Sequence, residues 1–146
     1  MTQHQDWDAW QSYLFTASRI LAGAEADLQA RAQIGLSDYD VLISLYHAPQ
    51  HQLSMSCLKE TVLVTTSGLS RSVSRMSQRG WVTKETSPED RRKVSLALTP
   101  EGLAAIEAIR PHHHEYVREH FFDALSAKDQ QALGLALAHL SDHLTS

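Results

Sequence analysis

A single cysteine, Cys57, stands in the whole chain, so no disulfide can form within it, and that usage fits a cytoplasmic protein. No apolar run approaches the ~20 residues that a bilayer-spanning helix needs. The first eight residues hold neither a basic stretch nor an apolar one, which argues against a secretory leader. There is no glycine-rich phosphate loop, no nucleophile elbow and no thiol set against a positioned histidine, so the common signatures of an enzyme are missing. Internal repeats and low-complexity segments are absent too. What remains is an ordinary soluble composition, 42% hydrophobic and 21% charged over 146 residues. That length predicts one domain with a substantial core.

The net charge of −4 hides a gradient. Between Ser54 and Lys93 stand eight basic residues (Lys59, Arg71, Arg75, Arg79, Lys84, Arg91, Arg92, Lys93) against four acidic ones, a balance of +4. The rest has five basic and thirteen acidic residues, a balance of −8. A basic middle in an acidic frame suggests one surface that faces phosphate, although a solvated mixed surface has the same composition.

Periodicity divides the chain. Trp10, Leu14, Ala17, Leu21, Ala24 and Leu28 recur at helical spacing and predict a first helix over about 7–31. Ser37, with Asp40 three residues on, reads as the N-cap of a second helix that Pro49 ends. Ser54 reads as the cap of a short third helix to about residue 60. After a turn over 62–66, a fourth helix over about 67–79 carries Leu69, Val73 and Met76 on its inward face, and Gly80 closes it. There the period changes to two. Strands are predicted near 81–85 and 93–98, joined by a polar loop with Pro88 and a basic tip. Thr99-Pro100-Glu101 starts a fifth helix, in which Pro111 is expected to make a kink. Ser126 with Asp129 starts a sixth, striped by Leu133, Leu137, Leu140 and Leu144.

Two short helices, a tight turn and a hairpin are the layout of a winged helix-turn-helix. The inward stripe of the fourth helix turns Ser67, Gly68, Ser70, Arg71, Ser74 and Arg75 outward. Small hydroxyl residues at a helix start let the backbone approach a major groove, and arginine is the commonest reader of guanine. An exposed amphipathic helix is the bland alternative. The hairpin tip adds Arg91, Arg92 and Lys93, with Asp90 placed to brace an arginine. A slim arginine suits a narrow A·T-rich minor groove, while a solvated turn is the plain reading of such a tip.

The segments SGLSRSVSRM, QRGWV, EDRRKVSLALT and TPEG, between Val64 and Gly102, resemble the core of MarR-family regulators, as does the Leu36 to Leu45 segment. The order of six helices and one hairpin extends the resemblance over nearly the whole chain. It implies a mainly α fold: a winged helix-turn-helix lobe over about 36–99 with a two-stranded wing, and dimerisation helices over about 7–32 and 100–145. It also implies a homodimer on double-stranded DNA, with Arg92 in the minor groove and Asp90 orienting it. The expected DNA-contacting set is Ser54, Thr65, Thr66, Ser67, Gly68, Ser70, Arg71, Ser74, Arg75, Asp90, Arg91, Arg92 and Lys93. A dimer is expected on separate grounds: a winged core of ~70 residues cannot cover the long apolar stripes of the first and last helices. The alternative is that those stripes pack on each other within one chain.

Three sensing chemistries compete. Family habit favours a small aromatic acid or phenol as effector, with Trp10, Tyr13, Arg19, Tyr39 and Tyr46 as candidate lining; core packing explains the same residues. Cys57 is expected as a small core residue of the third helix, which disfavours redox sensing. The nine histidines include a triplet, His112-His113-His114, whose side chains splay over different helix faces, and His47 with His51 across Pro49. Neither pattern supports a metal site, and no cofactor is expected.

Overall fold

The computed structural model describes residues 3–63, 65–90 and 92–146, with side chains described from Trp7 onward. Six α-helices and three strands are present among these residues: α1 (Gln3–Ala32), α2 (Leu36–His47), β1 (Gln52–Ser54), α3 (Met55–Thr61), α4 (Thr66–Gln78), β2 (Val82–Thr86), β3 (Val94–Leu98), α5 (Pro100–Val117) and α6 (Ala127–Thr145). The chain packs as two compact units, one over Leu21–His113 and the other from the described residues up to Ile20 together with His114–Ser146.

The Leu21–His113 unit holds the winged helix. Its core joins Leu28 and Ile34 to Val41, Leu42 and Leu45 of α2, Leu58 of α3, Leu69, Val73 and Met76 of α4, Leu96 of β3 and Ile106 of α5. The inward stripe expected for α4 is therefore buried, because residues spaced three and four apart share one helical face. The sheet is antiparallel in the order β1-β3-β2. Val82 to Thr86 pair with Leu98 to Val94, which is the expected hairpin shifted by one residue at its start. A third strand was not expected: Gln52 to Ser54 pair with Ala97 to Ser95, and Leu53 lies opposite the buried Leu96.

Local geometry follows from particular residues. Gly80 takes φ +75° after α4, a conformation that a side chain disfavours. Thr99 caps α5 as expected: its hydroxyl accepts from the Gly102 N–H at 3.0 Å and donates to the Gly80 carbonyl at 2.6 Å. Gly102 is required by packing, since a Cβ there would collide with the Trp81 carbonyl. Pro111 sits inside α5 without ending it. The departure from α geometry comes later, in a wide π-type turn over Arg118–Phe122.

The start of α2 corrects the expected cap. Gly35, not Ser37, is the N-cap, and the Asp38 carboxylate accepts from the Gly35 N–H at 3.0 Å. Asp40 instead reaches the turn before α4, where it accepts from the Leu63 N–H at 2.8 Å. Cys57 also departs from expectation: it is exposed, because the short α3 buries Leu58 and the next-door position points about 100° away.

In the other unit, Ser126 caps α6 as expected, accepting from the Asp129 N–H at 3.1 Å. The Tyr116 hydroxyl donates to the Ile20 carbonyl at 3.3 Å. No residue of α6 is buried, and Trp7, Trp10, Phe15, Leu135 and Leu144 are each half exposed or more.

Candidate nucleic-acid interface

The helix-turn-helix is capped at both of its short helices. Ser54 Oγ accepts from the Cys57 N–H at 3.1 Å and starts α3; Thr65 Oγ1 accepts from the Gly68 N–H at 3.1 Å and starts α4. These caps satisfy one orphan donor each and leave other N–H groups of the first turn open to an anion. Thr65, Thr66, Ser67, Ser70, Arg71, Ser74 and Arg75 are exposed along α4, with Gly68 half-buried among them. Ser72 is the polar exception on this helix, fully buried.

The two arginines of that face are not alike. Among the described residues Arg71 makes no side-chain hydrogen bond or ion pair. Arg75 is engaged: its Nη2 donates to Asp38 Oδ1 at 2.7 Å and to Ser72 Oγ at 3.0 Å, and its Nε donates to Asp38 Oδ1 at 3.2 Å. Asp38 is 2% exposed. One turn further on, Arg79 stacks over the Trp81 ring at 3.8 Å and donates to the carbonyls of Ala32 and Gln33 at 3.1–3.3 Å, which fastens the end of α4 to the end of α1.

At the hairpin tip, Asp90 Oδ1 accepts from both the backbone N–H and the Nε of Arg92, at 3.0 and 3.3 Å. Arg92 points outward with 93% of its side chain exposed. Lys93 is exposed beside it, and Arg91 lies outside the described residues. A groove of about 750 Å³ runs between α3, α4 and the hairpin; Ser54, Ser70, Arg92 and Lys93 line it together with Lys59 and Lys84. The last two were missing from the expected set. Their signal was present in the basic census, but only the fold brings them to one groove.

The candidate effector residues divide between the two units. Trp10 and Tyr13 stack on each other at 6.2 Å, and Arg19 lies 4.1 Å over the Phe15 ring, all in the unit that contains α6. Tyr39 and Tyr46 belong to the other unit. Tyr39 is a core residue, 4.2 Å from the His113 ring, and burial pushes its phenol pKa up although the Arg110 charge pulls it the other way. Tyr46 accepts from Arg110 Nη1 at 3.4 Å. Arg110 was not foreseen. Of the histidine triplet, His112 Nδ1 lies 3.5 Å from Arg31 Nη1, His113 packs on Tyr39, and His114 is exposed. Among the described residues no three His, Cys, Asp or Glu side chains form a metal-binding group.

Comparison with known proteins decides the family. A MarR-family model matches residues 32–93. The crystal structure of AbsC, a MarR family transcriptional regulator from Streptomyces coelicolor, superposes with a TM-score of 0.89 at 30% identity, covering 99% of this chain and 97% of that one. The chain belongs to the MarR family. Another member from the same organism, Sco3205, solved in complex with DNA, superposes with a TM-score of 0.93 at 29% identity over 100% of this chain and 91% of that one. The regulator PrsX of Escherichia coli is 30% identical over 75% of this chain and 68% of its own length.

Proposed function

We propose that this MarR-family chain is a sequence-specific DNA-binding transcription regulator, a repressor that binds a two-fold operator as a homodimer. The observation that carries the reading is the exposed hydroxyl-and-arginine face of α4, capped by Thr65, beside a basic hairpin whose Arg92 is held by Asp90. In this reading α4 enters the major groove, and its N-terminal N–H groups and serines meet the backbone. Arg92 enters the adjacent minor groove, where a narrow A·T-rich stretch concentrates negative potential. Lys59, Lys84 and Lys93 meet phosphate across the groove between them. That Sco3205, 29% identical, was solved in complex with DNA supports DNA binding by this chain. Such a regulator works in the cytoplasm, and no helix of the described residues is long and apolar enough to cross a membrane.

Two chains supply two copies of α4 to successive grooves, and the apolar exposure of α1 and α6 supports that pairing. A small aromatic acid or phenol is the proposed effector. It acts by binding the DNA-free state more tightly, by about 1–3 kcal/mol. The exposed Trp10–Tyr13 pair in one unit and, as an alternative, the Arg110–Tyr46 pair in the other are the candidate contacts. A gel shift with the DNA upstream of the protein's own gene tests the reading. A retarded band competed by the same fragment and not by scrambled DNA is expected; equal competition by both removes sequence-specific regulation.

A further inference from the structure

We propose that Asp38, buried beneath α4, divides the work of its two arginines: it occupies one edge of the Arg75 guanidinium, so that Arg75 meets DNA through Nη1 alone as an affinity contact and leaves two-nitrogen base reading to Arg71. The inference rests on the DNA-binding reading above and assigns Asp38 and Ser72 as positioning residues within it.

A guanidinium has five N–H donors. In Arg75 three are committed: Nε to Asp38, and both hydrogens of Nη2 to Asp38 Oδ1 and Ser72 Oγ. Ser72 is itself fixed, because its hydroxyl hydrogen goes to Ser37 Oγ at 3.1 Å, so its oxygen is left as an acceptor for Arg75. The second oxygen of Asp38 accepts the Gly35 N–H. Reading guanine takes two parallel N–H groups from one edge of the guanidinium, either Nη1 with Nη2 or Nε with Nη2. Both edges need Nη2, and in Arg75 Nη2 is taken. The two hydrogens of Nη1 have no partner among the described residues, and the side chain is 49% exposed. Drawing Arg75 away would strand a carboxylate that is 2% exposed, which opposes recruitment by DNA. Arg71, one turn earlier on the same helix, carries no such commitment.

The test uses the full chain and a site it selects from random-sequence DNA. Binding to that site and to a scrambled duplex is measured by anisotropy at several salt concentrations. Arg71→Ala should narrow the ratio of the two affinities by about tenfold or more, the size of a lost base contact. Arg75→Ala should weaken both duplexes alike and lower the salt slope by about one. Asp38→Asn should raise affinity for scrambled DNA and narrow the ratio, but do neither when Arg75→Ala is also present. Ser72→Ala, which leaves the ion pair in place, should move the ratio the same way more weakly; it carries the test if circular dichroism shows Asp38→Asn unfolded. The proposal is overturned if Arg75→Ala narrows the ratio as much as Arg71→Ala. It is equally overturned if Asp38→Asn acts the same with and without Arg75. A wild-type protein that selects no site at all removes the DNA-binding reading instead, so the two failures are distinguishable.

Discussion

Arg92 is steered by one carboxylate oxygen, which holds both its backbone N–H and its Nε. The pair is exposed, so its contribution to stability is small; its effect is on where the guanidinium points. Arg92→Ala should weaken DNA binding most at sites with A·T-rich flanks, and Asp90→Ala should do the same more mildly by letting the arginine wander. Isotherms on operators that differ only in their flanks check this, and equal losses on G·C-rich flanks would refute it. Tyr39 has the opposite surroundings. Burial raises its pKa, so the folded state keeps the phenol protonated after the unfolded chain has begun to lose its proton. Stability from this group is therefore complete below about pH 10 and declines as pH rises from there through the folded value. Tyr39→Phe should flatten that alkaline decline in denaturant melts taken between pH 9 and pH 11 (about one unit either side of the ordinary tyrosine value), and an unchanged profile would count against it.

Helices and strands differ in how much of them can be read in advance. The inward face of α4 follows from spacing, because the helix runs long enough for the 3.6-residue period to fix its phase, whereas of the α1 stripe only Ala24 and Leu28 are buried and of the α6 stripe none. Ser54, Gly80, Thr99 and Ser126 announce their ends by chemistry that is local to the chain. The short elements lack that advantage. The seven residues of α3 leave the phase open: Cys57 reads equally well as inward, but Leu58 holds that place. Three residues of β1 alternate but are too few to establish a period; they become a strand because Ala97 to Ser95 present an edge for them to pair with. Arg75 was legible as an outward residue, but its partner Asp38 lies 37 positions away and only packing brings them together. At this scale Thr65→Ala should cost about 0.5–2 kcal/mol by removing the α4 cap. Gly102→Ala should cost about 1–3 kcal/mol or more, because the start of α5 must withdraw from the Trp81 carbonyl. Thermal melts check both, and Gly102→Ala should show the larger fall in midpoint.

The molecule as a whole leaves much apolar surface in water. Within the unit that contains α6, Tyr13, Ile20, Phe121, Leu133 and Leu137 line a cavity of about 370 Å³. Leu137, Leu140 and Leu144 are 40%, 46% and 75% exposed, at spacings that put them along one side of α6. None of the nineteen residues of that helix is buried. Single exposed leucines are normal, but a stripe of them marks an interface. A second copy is the occupant that symmetry favours, since the same patch then covers itself. Each leucine so covered contributes roughly 1.5–3 kcal/mol, and a carboxylate placed among them opposes assembly by its desolvation. Leu137→Asp should therefore shift a dimer to monomer in sedimentation at micromolar protein. DNA binding should fall with it, because a single α4 and a single hairpin keep only half of the contacts to a two-fold site. A wild-type chain that sediments as a monomer would refute the dimer, and a Leu137→Asp dimer that still binds operator as wild type would place the interface elsewhere.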